Sequence, residues 1–309
     1  MDPERYNEVI TVIRNFRGLT KNCLKLLEET FPTISSDTLY SILNTEFQRK
    51  MRHNFGKTQN NRNKFWTMFR KGIESNQGPG VLVNLAEVHD ISPCLLARLI
   101  LQKYFEDQED KNGEKEKETS VNINRYLKNT CLIPDVDLAY EVFLCTIFDN
   151  IYSPLADAMK MSLGQQYEIR LHKEAVELNL SFRDEEYLRK FGYDKTPDLK
   201  LEVPIAIDGF VINWIESKAL FANEEVHRDY MNSQYLSYWN RFGPGLVIYW
   251  FGFLRTIAET SDKRFIVRDH LPTNIRKILG NIFIQIGHRV CQKLLKIGNT
   301  EILGIARRI

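Results

Sequence analysis

The pattern of hydrophobic and polar residues divides the chain into a helical first half and a mixed second half. Between residues 6 and 75, apolar residues such as Ile10 and Ile13 recur at the spacing of three and four that is typical of amphipathic helices. Ser35 or Ser36 is a suitable N-cap for one of these helices. The pattern therefore predicts that this part of the chain is almost entirely helical.

A pair of short helices is predicted after the break at Gly78-Pro79-Gly80. The apolar runs Val81–Val88 and 93–105 are joined by only four residues. Ser92 is a favourable N-cap and Pro93 a favourable first helical residue. Two short helices joined by a tight turn have the form of a helix-turn-helix.

Residues 106–120 interrupt the pattern with a largely charged, low-complexity segment. Such a segment has little apolar surface to bury, so we expect a disordered insert there. The insert closes a predicted helical domain at residues 1–120 and leaves residues 121–309 as a second domain.

The second half predicts a mixed α/β core. A long amphipathic helix is predicted at 155–178, and two strand-like runs follow at 200–207 and Phe210–Lys218. They are separated by Asp208-Gly209, a strong hairpin signal. The remaining predicted elements are a helix at 224–239, a strand at 246–253, a strand at 265–267 and a helix at 273–295.

Composition limits the function classes without selecting one. The formal net charge is only +2, so nucleic-acid binding has to be inferred from local patches. The five cysteines include no C-x-x-C pair, as expected for a reducing compartment. No apolar run approaches the length of a membrane span, so we expect a protein without a signal segment or a membrane partner. The oligomeric state stays open.

The chemistry that the sequence offers centres on two carboxylates and one lysine. Glu216 and Lys218 alternate onto one face of the second hairpin strand, and Asp198 lies where the first strand begins. Two carboxylates can hold a hard cation such as Mg²⁺ or Mn²⁺, and a neighbouring lysine can orient water or neutralise phosphate charge. The alternative is structural: Asp198 ends a proline turn, and Glu216 and Lys218 form a surface pair.

Three further residues extend this candidate site. Gln234 and Tyr238 are four residues apart on a predicted helix and should share one face. Glu168 lies in the middle of the preceding long helix, where a solvated helix carboxylate is the structural alternative.

These motifs resemble those of the PD-(D/E)xK nuclease superfamily. Residues 192–198, 214–218 and 238–250 resemble in particular the codanin-interacting nuclease family, and residues 92–101 match its N-terminal half. The resemblance covers about residues 5–275. The insert near 106–120 and the tail beyond about 276 are unlike the family.

The resemblance implies a fold, an activity and a partner. It implies an N-terminal helical domain with helix-turn-helix character and a C-terminal restriction-endonuclease-like core. It further implies a protein that binds codanin and is located in the nucleus, with the cytoplasm as a second location. By the same resemblance the metal ligands are Asp198 and Glu216, and the other catalytic residues are Glu168, Lys218, Gln234 and Tyr238.

A basic stretch points independently to nucleic acid, with DNA as the expected ligand. Residues 47–73 contain no Asp or Glu, and aromatic residues interleave the cations. The alternative is a cationic helix face over an ordinary aromatic core. The candidate nucleic-acid-binding residues are Arg49, Lys50, Arg52, Lys57, Arg62, Lys64, Arg70 and Lys71.

Two functions remain open from the sequence. The first is a Mg²⁺-dependent nuclease acting on DNA. The second is a largely non-catalytic nuclease fold that binds codanin and nucleic acid. For codanin, the aromatic-rich segment 239–253 offers candidate anchors, and residues from about 150 onward are predicted to suffice for binding.

Overall fold

The chain folds into two compact units in a computed structural model, which describes residues 1–75, 77–112, 119–259 and 264–277. Unit 1 contains Met1–Gln166, Ala219–Phe221 and Phe251–Arg255. Unit 2 contains Tyr167–Lys218, Ala222–Trp250 and the described part of Thr256–Ile309. The division therefore falls later in the chain than the boundary predicted at residue 120, because the helices between residues 119 and 166 belong to unit 1.

Unit 1 is helical throughout its described regular structure. Apolar residues at helical spacing, such as Leu82, Ile100 and Val142, are buried in one large cluster. Its helices are α1 (Pro3–Asn15), α2 (Thr20–Thr30), α3 (Ser36–Asn60), α4 (Arg62–Glu74), α5 (Val81–Val88), α6 (Pro93–Asn112), α7 (Thr119–Lys128), α8 (Val136–Phe148) and the first part of α9 (Pro154–Glu177), with a 3₁₀ turn at Thr130–Leu132.

The helix pair of the predicted helix-turn-helix is confirmed as α5 and α6. Ser92 accepts a hydrogen bond from the backbone N–H of Leu95 at 3.2 Å, and its hydroxyl donates to the buried Asp149. Helix α6 continues to Asn112, so residues 106–112 are helical where a disordered insert was predicted. Low apolar content does not by itself exclude a helix, because a helix satisfies its own backbone hydrogen bonds. Residues 113–118 lie outside the described residues.

Unit 2 is built on a mixed sheet, which confirms the predicted α/β fold class. Its strands are β1 (Phe182–Asp184), β2 (Leu199–Ile207), β3 (Phe210–Lys218), β4 (Gly245–Tyr249), β5 (Phe265–Arg268) and β6 (Arg276–Lys277). The strand order is β1-β2-β3-β4-β5, with β6 also paired to β2. Strand β3 pairs antiparallel with β2 and parallel with β4, and β4 pairs parallel with β5.

The helices of unit 2 are the second part of α9, α10 (Glu185–Lys190), α11 (Glu224–Tyr230), α12 (Leu236–Phe242) and α13 (Arg255–Glu259). The first residue of α13 belongs to unit 1.

The two faces of this sheet carry different residues. On one face, Leu171 and Ala175 of α9 join Ile215, Leu246 and Ile248 in an apolar cluster. The opposite face carries aromatic rings. Trp214 of β3 packs there against the rings of Tyr235 and Tyr238.

A register shift in the β2–β3 hairpin determines where the sheet presents polar groups. Next to the Asp208-Gly209 turn, Ile207 pairs with Phe210. Beyond an irregularity between Lys200 and Ile205, Leu199 pairs with Ile215. Without the shift, the residue before Leu199 would lie opposite Ala219. With the shift, extending the Leu199–Ile215 register by one residue places Asp198 opposite Glu216.

Two predicted elements differ from the structure near the C-terminal end. The strand predicted at 246–253 ends at Tyr249, because the chain turns through Gly252, whose φ of 88° lies in the left-handed region. The helix predicted at 273–295 is wrong at its start, because Arg276 and Lys277 form β6 against β2. Its residues from 278 onward lie outside the described residues.

None of the helices in the described part of the chain combines the length and the hydrophobicity of a membrane span.

Candidate active site

The structure brings Asp198, Glu216 and Lys218 together at the end of the hairpin. Asp198 Oδ2 accepts a hydrogen bond from the backbone N–H of Ser217 at 2.6 Å, which ties it to the residue between the other two. Lys218 Nζ donates to Glu216 Oε1, also at 2.6 Å. The glutamate is 3% exposed, so this is a buried acid–lysine pair and not a surface pair.

Burial raises the pKa values of both carboxyl groups. The pKa of Asp198 is raised well above its usual value by burial, and next by the charge of Glu216. The pKa of Glu216 is also raised by burial, although Lys218 opposes the shift. Burial lowers the pKa of Lys218, but its pairing with Glu216 and the charge of Asp198 outweigh burial, so its pKa is raised above the usual value. The lysine is therefore protonated at neutral pH.

One oxygen of this cluster has no partner within the described protein. Glu216 Oε2 is buried and accepts no hydrogen bond. Such an atom normally has a compensating donor or cation, because an unsatisfied buried charge is costly. A divalent cation bound by this oxygen and by Asp198 would satisfy it and relieve the repulsion between the two carboxylates. The residues present thus fit a hard metal ion.

A metal at this position would have few protein ligands. Among the described residues, no three His, Cys, Asp or Glu side chains converge as a metal-binding group. Mg²⁺ commonly binds through one or two carboxylates and retains several waters, so two ligands are compatible with that ion. They do not suit a structural zinc site, which is closed by four protein ligands.

The other three predicted catalytic residues lie around this pair in different settings. Glu168 is an exposed residue of α9, and its charge contributes to the raised pKa of Asp198, so it is within electrostatic reach. Tyr238 is 3% exposed, and its pKa is raised by burial and then by the charges of Glu216 and Asp198. Gln234 has a buried side-chain oxygen without a partner in the described structure.

A π-helical turn carries Gln234, which the sequence did not predict. Met231–Tyr235 forms this turn between α11 and α12. Insertions of this kind occur frequently at functional sites because they redirect side chains out of the α-helical repeat. The expectation that Gln234 and Tyr238 share one regular α-helical face is therefore only approximate.

Two residues near the site were missed by the sequence analysis. The ring of Tyr230 lies 4.9 Å from Lys218 Nζ in a cation–π arrangement. Extending the Gln234/Tyr238 spacing by four residues toward the N-terminus would have found it. Glu185 accepts a hydrogen bond from Thr196 Oγ1 at 3.0 Å and adds negative charge near Glu216. No local spacing signals Glu185.

The loop that carries Asp198 is tied to the helix beside it. Lys195 Nζ donates to the backbone oxygen of Ser233 at 2.8 Å. Arg241 donates to the backbone oxygen of Lys195 at 3.0 Å and to the carboxylate of Asp194 at 2.6 Å. These contacts connect the position of Asp198 to the segment that contains Gln234 and Tyr238.

The predicted nucleic-acid-binding residues divide into paired and unpaired cations. Arg49 pairs with Glu46, Lys50 with Asp90 and Arg62 with Glu106, while Arg70 lies 3.8 Å from Glu74. The other four candidates are exposed and form no ion pair in the part of the chain that the structure describes. They are Arg52, Lys57, Lys64 and Lys71.

The aromatic residues of the basic stretch lie mainly in the core. Phe65 and Phe69 are 4% and 2% exposed, so they cannot stack on bases. Phe55 is exposed. The structural alternative thus holds for Phe65 and Phe69 but not for Phe55.

The candidate codanin anchors in 239–253 are also mostly covered. Tyr249 and Phe251 are buried, while Phe242, Trp250 and Phe253 are partly covered. Trp239 is 38% exposed, and the Arg264 guanidinium lies 5.6 Å from the centroid of its ring.

Comparison with known proteins places this site in a family. A family model described as "Protein of unknown function TPD sequence-motif" matches residues 134–271, which include Thr196-Pro197-Asp198. "CDAN1-interacting nuclease 1" of Xenopus laevis is 38% identical over 283 residues, covering 91% of this chain and 91% of the relative. The Homo sapiens protein of the same name is 40% identical over 258 residues, covering 83% of this chain and 90% of the relative. The chain belongs to the CDAN1-interacting nuclease 1 family.

Membership of the CDAN1-interacting nuclease 1 family confirms the predicted resemblance. The Gallus gallus member, 36% identical over 273 residues, covers 88% of this chain and 94% of its own length. The similarity therefore extends over both units. No solved structure matches the chain.

Proposed function

We propose that this chain is a Mg²⁺-dependent nuclease of the PD-(D/E)xK type that hydrolyses phosphodiester bonds in DNA. The observation that carries the proposal is the buried, unpartnered Oε2 of Glu216 beside Asp198. The name of its relatives adds support, since they are called nucleases.

The charge of each side chain in the candidate site determines the role that it would have in the reaction. A bound Mg²⁺ would supply Lewis acidity and lower the pKa of a coordinated water. Asp198 and Glu216 would hold the ion through oxygen. Lys218 remains protonated, so it can orient a nucleophile or stabilise phosphate charge but cannot serve as the general base. Tyr238, whose pKa is raised by burial, remains a neutral hydrogen-bond donor.

Removing one carboxylate charge should remove the metal. Asp198→Asn and Glu216→Gln are each expected to weaken Mn²⁺ or Mg²⁺ binding at least tenfold and to abolish cleavage of DNA, because a two-carboxylate site loses half of its charge. The measurement is calorimetric titration of the metal, followed by cleavage assays on a panel of labelled DNA and RNA structures. Asp269→Asn is a matched control, since Asp269 is exposed and its ion-pair partner is His270, outside the candidate site.

The same experiment separates the nuclease from the second candidate, a nuclease fold used mainly for binding. That candidate is favoured by the absence of a third acidic, His or Cys ligand among the described residues. Metal binding that depends on Asp198 without cleavage of any substrate would support it. Failure of the wild-type protein to bind either metal would contradict the nuclease.

DNA binding through the basic stretch is the next part of the proposal. Reversing the charges of Lys57, Lys64 and Lys71 to Glu should weaken binding and reduce the slope of log K against log salt by up to about three units, one for each phosphate that the variant no longer neutralises. These residues are exposed and break no ion pair in the described structure when replaced. Lys25→Glu on α2 is the control for a single charge reversal outside the stretch. An unchanged slope in the triple variant would show that this face is only solvated surface.

Codanin is the proposed protein partner, because the relatives are named as CDAN1-interacting. Trp239→Ala in the full chain is expected to weaken codanin binding at least tenfold, since exposed tryptophans are common interface anchors. Phe191→Ala is the control, as Phe191 is 66% exposed in the same unit. Equal capture by both variants would contradict this site. The full chain is required because unit 1 includes Ala219–Phe221 and Phe251–Arg255, so a cut near residue 150 would divide that unit.

We further propose a nuclear location, with the cytoplasm as a second location. Imaging of the tagged full-length chain tests it, and exclusion from the nucleus would contradict it.

A further inference from the structure

A cavity of about 380 Å³ lies in unit 1 among α1, α2, α3 and the turn after α5. That volume lies within the range of small-molecule pockets. Ile13, Cys23, Leu43 and Phe47 form a buried apolar floor. The cavity contains no residue of the candidate active site.

The rim of this cavity is rich in cations. Among the described lining residues, Arg14, Arg17, Arg49 and Lys50 face only two carboxylates. Glu46 accepts from Arg14 at 3.1 Å and from Arg49 at 2.6 Å. Asp90 pairs with Lys50 and lies 3.6 Å from Arg17. Each carboxylate is therefore shared by two cations, which leaves two positive charges in excess.

The guanidinium groups retain capacity for a further anion. Each has five N–H donors, and the contacts of Arg17 use one nitrogen, Nη1, on Asp90 and on backbone oxygens. The side chains of Arg14 and Arg17 are 62% and 67% exposed, so a ligand can reach them from solvent. Planar arginine forks match the geometry of phosphate oxygens.

The apolar floor of the cavity disfavours a bare inorganic anion as its ligand. Phe16 and Phe47 contribute aromatic rings to the lining, and Lys50 Nζ lies 5.9 Å from the centroid of the Phe47 ring. An apolar, aromatic floor beneath a cationic rim suits a ligand that has a planar ring at one end and a phosphate at the other.

We propose that this cavity binds a nucleoside 5′-phosphate, with its base against the apolar floor and its phosphate at Arg14, Arg17 and Lys50. The same chemistry occurs in a free mononucleotide and at the phosphorylated 5′ end of a nucleic-acid strand. The site is separate from Asp198 and Glu216 and does not require cleavage.

The test is calorimetric titration of the full-length protein with adenosine 5′-monophosphate, adenosine and inorganic phosphate. The monophosphate should bind with a submillimolar dissociation constant and at least tenfold more tightly than either of the other two. Arg17→Glu should weaken its binding at least tenfold, because it reverses an exposed rim charge. Lys25→Glu, an equal charge change on α2 outside the lining residues, should leave it within twofold. Glu216→Gln should also leave it unchanged, which separates this proposal from the proposed nuclease.

Two short single-stranded oligonucleotides, one with a 5′-phosphate and one with a 5′-hydroxyl, distinguish the sources. Tighter, Arg17-dependent binding of the phosphorylated strand identifies a strand end as the ligand. Arg17-dependent binding of the mononucleotide alone identifies a free nucleotide. The proposal is overturned if neither phosphorylated ligand binds the wild-type protein, if adenosine binds as well as its monophosphate, or if Arg17→Glu and Lys25→Glu behave alike.

Discussion

Replacing Lys218 with alanine is expected to slow metal-dependent DNA cleavage on the order of 100-fold or more, the usual effect of removing a positioned electrostatic group. The ammonium group is held at 2.6 Å from Glu216 and is protonated, so its loss removes the fixed positive charge of the site. The measurement is the single-turnover rate with saturating metal.

The same substitution should also destabilise the protein. Replacing a lysine that faced only solvent and metal-bound water would not have this effect. Glu216 would keep a buried charge with no lysine partner, and breaking a buried pair in this way costs about 3 kcal/mol or more. Added Mg²⁺ should restore part of this loss, since a ligand that binds only the folded state stabilises it. Thermal unfolding with and without the metal measures both effects.

A suitable control for Lys218→Ala is Lys200→Ala. Lys200 is a lysine of the neighbouring strand β2 that forms no ion pair in the described structure. It should keep both rate and stability. An unchanged single-turnover rate in a folded Lys218→Ala protein would refute the proposed role of the lysine.

Gly245→Ala is expected to lower the free energy of unfolding by about 3 kcal/mol or more, with a fall in Tm of roughly 6–12 °C. A Cβ atom at Gly245 would lie only 2.0 to 2.4 Å from three ring atoms of Trp214. The ring cannot move aside easily, because Trp214 is fully buried and its Nε1 donates to the backbone oxygen of Gly243 at 2.8 Å. Calorimetric unfolding of the full chain measures the change.

Gly164→Ala provides the opposite expectation for the same chemical change. Gly164 lies within α9, and a Cβ there meets no atom within 4 Å beyond its chain neighbours and the backbone of its own helix. Alanine is favoured over glycine in a helix by about 1 kcal/mol, so this variant should be slightly more stable. A Gly245→Ala protein as stable as Gly164→Ala would show that the strand accommodates a side chain at this position.

The sequence predicted the fold where local signals were strong. Helix α5 and strand β3 begin and end where the apolar runs predicted, and the Asp208-Gly209 hairpin signal was correct. The π-helical turn and the pairing of β6 with β2 depend on contacts between distant segments, which local periodicity does not contain. Local periodicity also failed to predict that α6 continues to Asn112.

For the candidate site, residue types and alternation predicted that Glu216 and Lys218 are neighbours on one face. They did not predict the depth of burial, because that depends on side chains that other elements bring to the sheet, such as the ring of Tyr230 at 4.9 Å from Lys218 Nζ. Glu185 was missed for the same reason: its position follows from the packing of its helix and not from any spacing to the motif.

The irregularity between Lys200 and Ile205 implies that a complete motif is not sufficient for activity. A homologue with one residue deleted in that interval could retain Thr-Pro-Asp, Glu-x-Lys and the hairpin, and a motif scan would score it as intact. A slip of one residue nevertheless turns a strand side chain to the other face of the sheet. Its aspartate would then point away from the glutamate. The number of residues between the hairpin turn and Asp198 is thus as much a part of the proposed catalytic signature as the acids themselves.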